Sequence, residues 1–428
     1  MDENIKETLE IKNFLSISYM KWEISNFNII TGDMGAGKSL CIKLLNFFED
    51  IFISSILLAP GFSKKLFENG NFFDKLTDRL KKTFYLNGNG KDCHNIILNY
   101  DCRTKSKDFS VAVSWDEAKK NLVWECAYLA DCLKKWSGYF PEEETPDTAR
   151  EVRNLIYEDI KHDFDNILPL SSFFVPASRA AMAVVGVSTT FKDEFLRDFA
   201  GTKEFLLSDL EIGLNNIKND NKLAEILKVK KIRKNPNDES DVLLDLNDGR
   251  TVPILYSSSG QQELLYLLLL IEQLPGITFR YGKTLSLFIE EPSAHLFPKE
   301  QKETIECIVD FFRNKKELDT RLFITTHSPY ILNSLNNMLK KGNLLKTYED
   351  KKDEINKAVD IPHLYTDETS AYFFGPDPDK KRKFTGESMF DNDRRYLNAD
   401  QIESISESIH DDTRNLTDFE YKVKNNIS

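Results

Sequence analysis

The sequence lacks a long hydrophobic run, a dense set of cysteines and an excess of positive charge. Its longest unbroken apolar run extends from Leu264 to Ile271, far short of the ~20 residues that cross a membrane as a helix. The first residues, Met1-Asp2-Glu3-Asn4, are acidic and lack the basic and apolar segments of a secretory signal. The six cysteines show no metal-binding spacing and no disulfide framework. We therefore expect a reduced, soluble, cytoplasmic protein with no membrane partner.

The charge balance excludes a chain that coats nucleic acid uniformly. Lysine and arginine together number 57 against 69 acidic residues, which gives a formal net charge of −12. Local basic patches are still compatible with this total. The length of 428 residues predicts two or three domains at ~150 residues each. With 41% hydrophobic residues, the chain can bury a sizeable core.

Apolar periodicity predicts strands that alternate with helices. The run Leu9–Phe14 alternates apolar and polar residues, as a strand does. The run Phe27–Thr31 leads into a glycine-rich turn, and a helix is predicted from Lys38. Later strands are predicted at Leu285–Ile289 and Leu322–Thr326. This alternation predicts an α/β fold with a largely parallel sheet.

The glycine-rich turn fits the pattern GxxxxGK[ST] in full. In this pattern, glycines let successive backbone N–H groups approach phosphate oxygens without a clash from Cβ. Lys38 supplies a positive charge to the β- and γ-phosphates, and the Ser39 hydroxyl can ligate Mg²⁺. A helix that starts here directs its positive dipole end at the phosphates. The predicted nucleotide-binding residues are Gly32, Asp33, Met34, Gly35, Ala36, Gly37, Lys38, Ser39 and Leu40.

Two adjacent carboxylates end the apolar run Leu287-Phe288-Ile289. On a strand beside the phosphate-binding turn, Glu290 would hold Mg²⁺ and Glu291 would polarise the attacking water as a general base. Taken alone, a solvated strand end with two ordinary acids is the better interpretation, and the phosphate-binding turn reverses that preference. We therefore predict a nucleotide with β- and γ-phosphates and Mg²⁺ at this site, with Ser39 and Glu290 as the metal ligands.

Two further motifs follow in the chain. The turn Ser257–Gln262 precedes a very apolar helix, and serine and glycine at a helix start present N–H groups and a hydroxyl to an anion. That arrangement suits a γ-phosphate bound by another subunit. The alternative is a simple N-cap with a capping box completed by Glu263. After the strand Leu322–Thr326, His327 is well placed to contact the γ-phosphate.

These four sets of residues, in this order, resemble the ABC-type ATPase head of SMC-like and RecF-like proteins and of ATPases related to the OLD nucleases. The resemblance covers roughly Leu9–Leu339 and implies a P-loop ATPase head. It implies that ATP is sandwiched between two copies of the chain. The residues that it assigns are Lys38, Glu291 and His327 as catalytic, and Ser258, Gly260 and Gln261 as the signature residues that bind the ATP of the mate.

The resemblance also implies a domain organisation. The head would have a mostly parallel core sheet and an antiparallel β subdomain at about 95–126. A helical insertion is predicted at about 130–235. Beyond Leu339 the chain turns polar, so residues 340–428 are predicted to be a C-terminal appendage that could dock a partner.

The stretch Glu290–Pro298 resembles the EEPxxHLxP form of soluble defence-type ATPases. With its size and polar tail, the chain resembles most the ATPase subunits of bacterial anti-phage systems, AriA of PARIS and PtuA of Septu. This implies a head-to-tail dimer or larger assembly that senses a phage-encoded trigger and controls an effector nuclease of Toprim or HNH type. Two alternatives stay open, namely an ATPase of RecF or SMC type that binds DNA directly in repair, and a nucleotide-binding scaffold without turnover.

Several features depart from the family pattern or stay unassigned. Glu290 stands where transporters have aspartate, and no Q-loop glutamine is assigned. The segment Phe174–Arg179 resembles a P-x-x-R segment of this subgroup, and Arg179 lies either near the nucleotide or dimer seam or in a structural salt bridge. The basic runs Lys228–Lys234 and Lys380–Lys383 are either DNA-binding patches or solvated faces.

Overall fold

The computed structural model of this chain describes residues 6–59, 61–86, 94–103, 108–164, 171–177, 179, 221–235, 238–274, 284–314, 319–381, 383–390 and 396–397. Residues 180–220 of the predicted helical insertion and residues 398–428 of the predicted appendage lie outside these ranges. Within the ranges, strands form one large and one small sheet, and helices pack against both faces of the large sheet.

The described strands belong to sheets with the orders β6-β5-β4-β1-β2-β14-β13-β3-β12-β11-β7 and β10-β9-β8. They are β1 Lys6–Phe14, β2 Ile17–Glu23, β3 Phe27–Gly32, β4 Ile97–Arg103, β5 Asp108–Asp116, β6 Asn121–Glu125, β7 Ser171–Val175, β8 Val229–Asn235, β9 Asp238–Leu246, β10 Thr251–Pro253, β11 Thr284–Glu290, β12 Asp319–Thr325, β13 Thr369–Pro376 and β14 Phe384–Ser388.

The described α-helices connect these strands, and a π-helix, Ile51–Leu57, directly follows the first of them. They are α1 Lys38–Glu49, α2 Asn71–Thr83, α3 Ala127–Ser137, α4 Pro146–Phe164, α5 Asn221–Leu227, α6 Ser259–Gln273, α7 Pro298–Asn314, α8 Pro329–Thr347 and α9 Lys352–Ala358. Short 3₁₀ turns lie at Lys64–Phe67, Ile254–Tyr256, Glu349–Lys351 and Thr366–Glu368.

The larger sheet has a parallel part and an antiparallel part. The strands β7, β11, β12, β3 and β13 pair in parallel, which confirms the predicted α/β fold class. Parallel strands end at a common edge of a sheet, where ligands bind in α/β folds. The segments that follow β3, β11 and β12 therefore meet at one place, although the chain separates the first from the others by about 250 residues.

The antiparallel part continues the same sheet. The strands predicted at about 95–126 are β4, β5 and β6, and β4 pairs with β1 from Lys6↔Arg103 to Lys12↔Ile97. Because β1 also pairs with β2, backbone hydrogen bonds connect this part to the parallel strands through β14. The smaller sheet, β8 to β10, is a separate antiparallel unit.

The predicted boundary after Leu339 is wrong. Helix α8 extends across it from Pro329 to Thr347, and β13 lies in the middle of the large sheet. The pairs Thr369↔Phe27 to Phe374↔Gly32 join β13 to β3 in parallel. The short run of β13 is not distinctive in sequence, and its partner lies more than 300 residues away, so local periodicity could not reveal the pairing.

The predicted helical insertion also contains part of the sheet. Helices α3 and α4 fall within 130–235, but so does β7, which pairs in parallel with β11 at the edge of the large sheet. The first strand of the small sheet, β8, ends the segment. A purely helical insertion is therefore a wrong prediction, because a five-residue strand carries too little periodic signal to be recognised.

Two hydrophobic clusters occupy the two faces of the large sheet. Alternate residues of β11 point to opposite faces, so that Phe288 belongs to one cluster and Ile289 to the other. Phe288 stacks on Phe323 of β12 with ring centroids 4.5 Å apart. Helix α6 is buried along Leu264–Ile271, which explains its almost uninterrupted apolar sequence. These layers fix the strand ends that carry the polar motifs.

Candidate functional site

The turn between β3 and α1 has the backbone shape that its glycines predict. Gly32, Gly35 and Gly37 all have positive φ, with values of 140°, 76° and 108°. A Cβ on Gly32 would lie 2.5 Å from the carbonyl oxygen of Phe374, and one on Gly37 would lie 2.7 Å from Ile17 Cγ1. Glycine is thus required here both by dihedral angle and by close packing.

Lys38 is the buried cation of this turn. Its Nζ donates to the carbonyl oxygens of Gly32 and Asp33, both at 2.9 Å. Burial lowers the pKa of Lys38, and the charges of Glu291 and Asp33 partly offset that effect. A lysine held by loop carbonyls can exchange them for phosphate oxygens, which are stronger acceptors because they are charged.

Lys38→Met is expected to weaken ATP binding about 10–100-fold, because a hydrogen bond to a charged group contributes about 1.5–3 kcal/mol. Titration with a fluorescent ATP analogue measures the dissociation constant. The matched control is Lys299→Met on α7, whose side chain is 81% exposed and which should leave affinity unchanged. Equal affinity of Lys38→Met and wild type would show that this lysine does not bind phosphate.

Glu290 ends β11 and is 4% exposed. Its Oε2 accepts a hydrogen bond from the Ala177 backbone N–H at 3.0 Å, and Lys43 Nζ on α1 lies 4.0 Å from Oε1. Oε1 itself is buried without a hydrogen-bond partner among the described residues. A buried carboxylate oxygen is costly without a compensating partner, so a cation beside it would be stabilising.

This donor set fits Mg²⁺. Magnesium prefers oxygen ligands and is usually bound through one or two carboxylates together with substrate phosphates and water. Glu290 and the hydroxyl of Ser39, at the start of α1, would supply the protein oxygens. No cluster of three or more histidine, cysteine or acidic side chains suited to a metal occurs among the described residues.

Glu291 and His327 contact each other at the same edge of the sheet. Glu291 Oε2 lies 2.8 Å from His327 Nδ1, and the His327 backbone N–H donates to the same oxygen at 3.3 Å. The hydrogen bond to Glu291 raises the pKa of His327, while burial and Lys38 lower it. The Glu291 backbone has φ 45°, an uncommon angle for a side chain of this size.

The predicted residues after β3, β11 and β12 line one cavity of about 610 Å³. Glu291 and His327 line it together with the whole phosphate-binding turn, from Gly32 to Leu40, whereas Glu290 is not among the lining residues. Ser16 and Phe373 also line the cavity, and sequence reasoning missed both. Phe373 could have been found only from the β3–β13 pairing, whereas Ser16 lies in a short turn after a predicted strand.

The signature residues Ser258, Gly260 and Gln261 do not line this cavity. Ser258 caps α6, and its hydroxyl accepts from the Gln261 N–H at 3.3 Å while Gln261 Oε1 accepts from the Ser258 N–H at 3.1 Å. The capping box is therefore completed by Gln261. The alternative that assigned this role to Glu263 is wrong, because Glu263 is buried and pairs with Arg179 instead.

The sequence left two alternatives open for Arg179, a place near the nucleotide or dimer seam and a structural salt bridge. Arg179 is fully buried, and its guanidinium contacts Glu263 and the backbone carbonyls of Glu290 and Glu291. Of the two alternatives, the structure supports the salt bridge. The segment of Arg179 follows β7. Its described residues, Pro176, Ala177 and Arg179, include no glutamine, so the Q-loop glutamine is not assigned there either.

Comparison with known proteins gives one family match and several structural ones. The family model described as AAA ATPase domain matches residues 192–332, about a third of the chain, which include Ser258, Glu290, Glu291 and His327 but not the phosphate-binding turn. None of the curated proteins matches the chain. Among the described residues, no helix is both long enough and apolar enough to cross a membrane.

The solved structures similar to this chain include two SMC head domains. The SMC head domain from Thermotoga maritima has 11% identity and a TM-score of 0.39, with 90% of this chain and 98% of that chain covered. The Smc head domain with an extended coiled coil bound to the C-terminal domain of ScpA, from Pyrococcus furiosus, has 12% identity and a TM-score of 0.42, with 95% and 99% covered. Identities and TM-scores this low do not support a functional class, so the class rests on the geometry of this chain's own site.

That geometry is typical of a nucleotide-binding site of P-loop type. A glycine-rich turn follows the buried parallel strand β3, a lysine and a serine begin the next helix, and an acidic pair lies at the end of β11, which β12 separates from β3 in the same sheet. The matched ATPase model covers the second half of this site. Residues 192–332 are thus similar to an ATPase domain, and the glycine-rich turn outside them has the pattern of a P-loop.

Proposed function

We propose that this chain is an ATP-binding and ATP-hydrolysing switch subunit of ABC type that closes head to tail with a second copy around the nucleotide. One observation carries the proposal. Lys38, Glu291 and His327 line a common cavity, whereas the Ser258-capped start of α6 lies outside it. A helix start that does not line the cavity of its own chain can still bind the phosphates of a nucleotide held by a second copy.

Each residue then has a defined task in hydrolysis. Lys38 and the backbone N–H groups of the turn would bind the phosphates, and Ser39 and Glu290 would hold Mg²⁺, which when bound would supply positive charge to the phosphoryl oxygens. Glu291 accepts a proton from the attacking water as the general base. His327 keeps the Glu291 carboxylate engaged at 2.8 Å, so the base must exchange this contact for water when the site closes.

Exposed apolar side chains beside the motifs support closure with a second copy. Met34 at the tip of the phosphate-binding turn is 95% exposed, Tyr256 beside the signature turn 76%, and Phe297 in the loop after β11 79%. Large exposed aromatic residues are common anchors of protein interfaces. Their places in the chain, next to three different nucleotide motifs, fit one surface that is covered when ATP is sandwiched.

Phe297→Asp is expected to weaken ATP-dependent dimerisation about tenfold or more, because a charge replaces an interface aromatic. Light scattering after size exclusion, with a non-hydrolysable ATP analogue present, measures the fraction of dimer. The control is Leu155→Asp on α4, an exposed residue away from the motifs, which should dimerise as wild type does. A Phe297→Asp dimer of wild-type affinity would remove Phe297 from the interface.

We further propose that the switch serves anti-phage defence by controlling an effector nuclease. The support is the resemblance of Glu290–Pro298 to the EEPxxHLxP form of defence-type ATPases. The test is expression of the chain with the products of its neighbouring genes, followed by purification. A stable complex with a Toprim-type or HNH-type nuclease, and nuclease release on phage infection, are the expected results; a chain that purifies alone and gives no phage protection would contradict the proposal.

Direct binding to DNA is the less favoured function. In the basic run that ends in β8, Lys228 pairs with Glu300 and Arg233 pairs with Asp245, so two of its cations already face acids of the same chain. Lys230 and Lys231 are exposed. ATP-dependent DNA binding by the purified chain, with a steep salt dependence lost in Lys230→Gln/Lys231→Gln, would reverse this preference.

A further inference from the structure

The guanidinium of Arg179 contacts two motifs of the same chain, the start of α6 and the acidic pair at the end of β11. In the proposed dimer, the first would act on the ATP of the mate and the second on the protomer's own ATP. Arg179 Nε donates to the Glu263 carbonyl oxygen at 2.8 Å and lies 3.2 Å from Glu263 Oε2. One terminal nitrogen donates to the Glu290 carbonyl oxygen at 2.8 Å, and the other donates to that of Glu291 at 3.1 Å. Arg179 and Glu263 are both buried, with 0% and 2% exposure.

The two carbonyl oxygens held by Arg179 belong to the segment that orients the general base. Glu291 has φ 45°, and such a left-handed angle persists only where surrounding contacts hold it. Besides Arg179, the Glu291 N–H donates to the Thr325 carbonyl oxygen at 2.9 Å. Arg179 therefore contributes directly to the backbone geometry from which the Glu291 carboxylate projects.

The other end of the connection lies in the first turns of α6. Glu263 follows the capping residue Ser258 by five positions and is part of a rigid helix, so a shift of Ser258 carries Glu263 with it. A second close contact also connects the start of α6 to the segment of the general base. A Cβ on Gly260 would lie 3.0 Å from Leu296 Cδ2, which places the helix start directly against the loop that follows Glu291.

We propose that Arg179 is a positioning residue that couples the signature turn of one protomer to the general base of the same protomer. The coupling rests on the proposed head-to-tail dimer, in which Ser258 contacts the ATP of the mate while Glu291 acts on the protomer's own ATP. Nucleotide bound at one site would then set the base at the other, which makes hydrolysis cooperative. Arginine suits this role because its planar fork holds several acceptors in fixed directions.

Arg179→Lys tests the coupling, since lysine keeps the charge but cannot bridge the same acceptors. Wild type is expected to hydrolyse ATP with a Hill coefficient above one. Arg179→Lys is expected to lower kcat about tenfold or more, leave the KM for ATP within about twofold, and bring the Hill coefficient to about one. A merely structural role would not produce this split between kcat and KM.

Glu263→Gln is the second variant, and it keeps the test decisive if Arg179→Lys fails to fold. It retains the backbone carbonyl acceptor and the side-chain volume, and it removes only the charge that faces Arg179. We expect a Hill coefficient near one with kcat reduced less than in Arg179→Lys. The matched control, Arg313→Lys on α7, alters a half-buried arginine that pairs with Glu368 away from the site and should retain wild-type cooperativity.

The outcomes separate this inference from the function on which it rests. If ATP does not bring two chains together, the proposed dimer is wrong. If the dimer forms and hydrolyses ATP, but wild type shows no cooperativity or both variants keep it, the dimer stands and the role of Arg179 is refuted. Loss of cooperativity in both variants, with unchanged ATP binding and dimerisation, supports the coupling.

Discussion

Glu291→Gln is expected to lower kcat for ATP hydrolysis about 10²–10⁴-fold, the range that a positioned general base contributes. The amide retains the shape of the carboxylate but cannot accept the proton from water. Nucleotide affinity should change little, since Lys38 and the glycine-rich turn bind the phosphates. Phosphate release under single-turnover conditions measures the effect, and ATP should then hold the protein as a long-lived dimer.

A matched variant and the scaffold alternative complete this test. Glu354→Gln removes an exposed carboxylate on α9 and should hydrolyse ATP at the wild-type rate. A nucleotide-binding scaffold predicts a different result, in which wild type shows no turnover and Glu291→Gln leaves the oligomeric state unchanged. That result would exclude ATP hydrolysis as the function of the acidic pair, and the proposal that the chain binds ATP would still stand.

Arg321→Met is expected to destabilise the fold by about 3–5 kcal/mol, the usual cost of removing one partner from a buried ion pair. Arg321 on β12 lies between two buried carboxyl groups, with contacts of 2.8 Å to Glu7 and 2.6 Å to Glu49. Tyr100 donates a further hydrogen bond to Glu7 at 2.7 Å. The substitution leaves both acids buried without their cation, and a urea denaturation curve measures the loss.

An exposed arginine provides the control for this variant. Arg250→Met changes a residue whose side chain is 72% exposed and pairs only locally, with Asp248. Its urea midpoint should match that of wild type. Similar midpoints for Arg321→Met and wild type would show that the cluster around Arg321 does not support the fold.

The same cluster predicts a pH dependence. Burial raises the pKa of Glu49 to about 8, against an ordinary value of 4.5, although Arg321 opposes the shift. Between these values the folded chain binds a proton that the unfolded chain has lost, so stability falls as the pH rises from about 4.5 to about 8. Glu49→Gln mimics the protonated form and should flatten this part of the stability profile.

The sequence predicted the local backbone shapes around the site well because these shapes depend on short spacings. The phosphate-binding turn requires glycine at positive φ, and Gly32, Gly35 and Gly37 adopt it. The run before Glu290 is a fully buried strand, as an apolar segment without polar alternation indicates. Such patterns act within a few residues, so no knowledge of the remaining chain is needed to recognise them.

Contacts between distant segments were not predictable in the same way. Arg179 was left with two alternatives, because nothing in its neighbourhood shows that Glu263 and the carbonyls after β11 converge on it. The pairing of β13 with β3 was missed altogether. This pairing places Phe373 at the cavity. It also places the Phe374 carbonyl oxygen 2.5 Å from where a Cβ of Gly32 would lie, so close packing as well as the positive φ requires glycine at this position.

The amino-acid order alone thus determined which groups are present, namely a phosphate-binding turn, a paired acid and a histidine at strand ends. Their residue types and spacings dictate backbone shape and charge before any long-range contact forms. The tertiary structure decided which of them meet, because parallel pairing brings strand ends from remote parts of the chain to one edge. The tertiary structure also decided that the signature turn does not line the cavity. The position of α6 depends on the packing of its buried apolar residues, and the polar residues at its start follow that position.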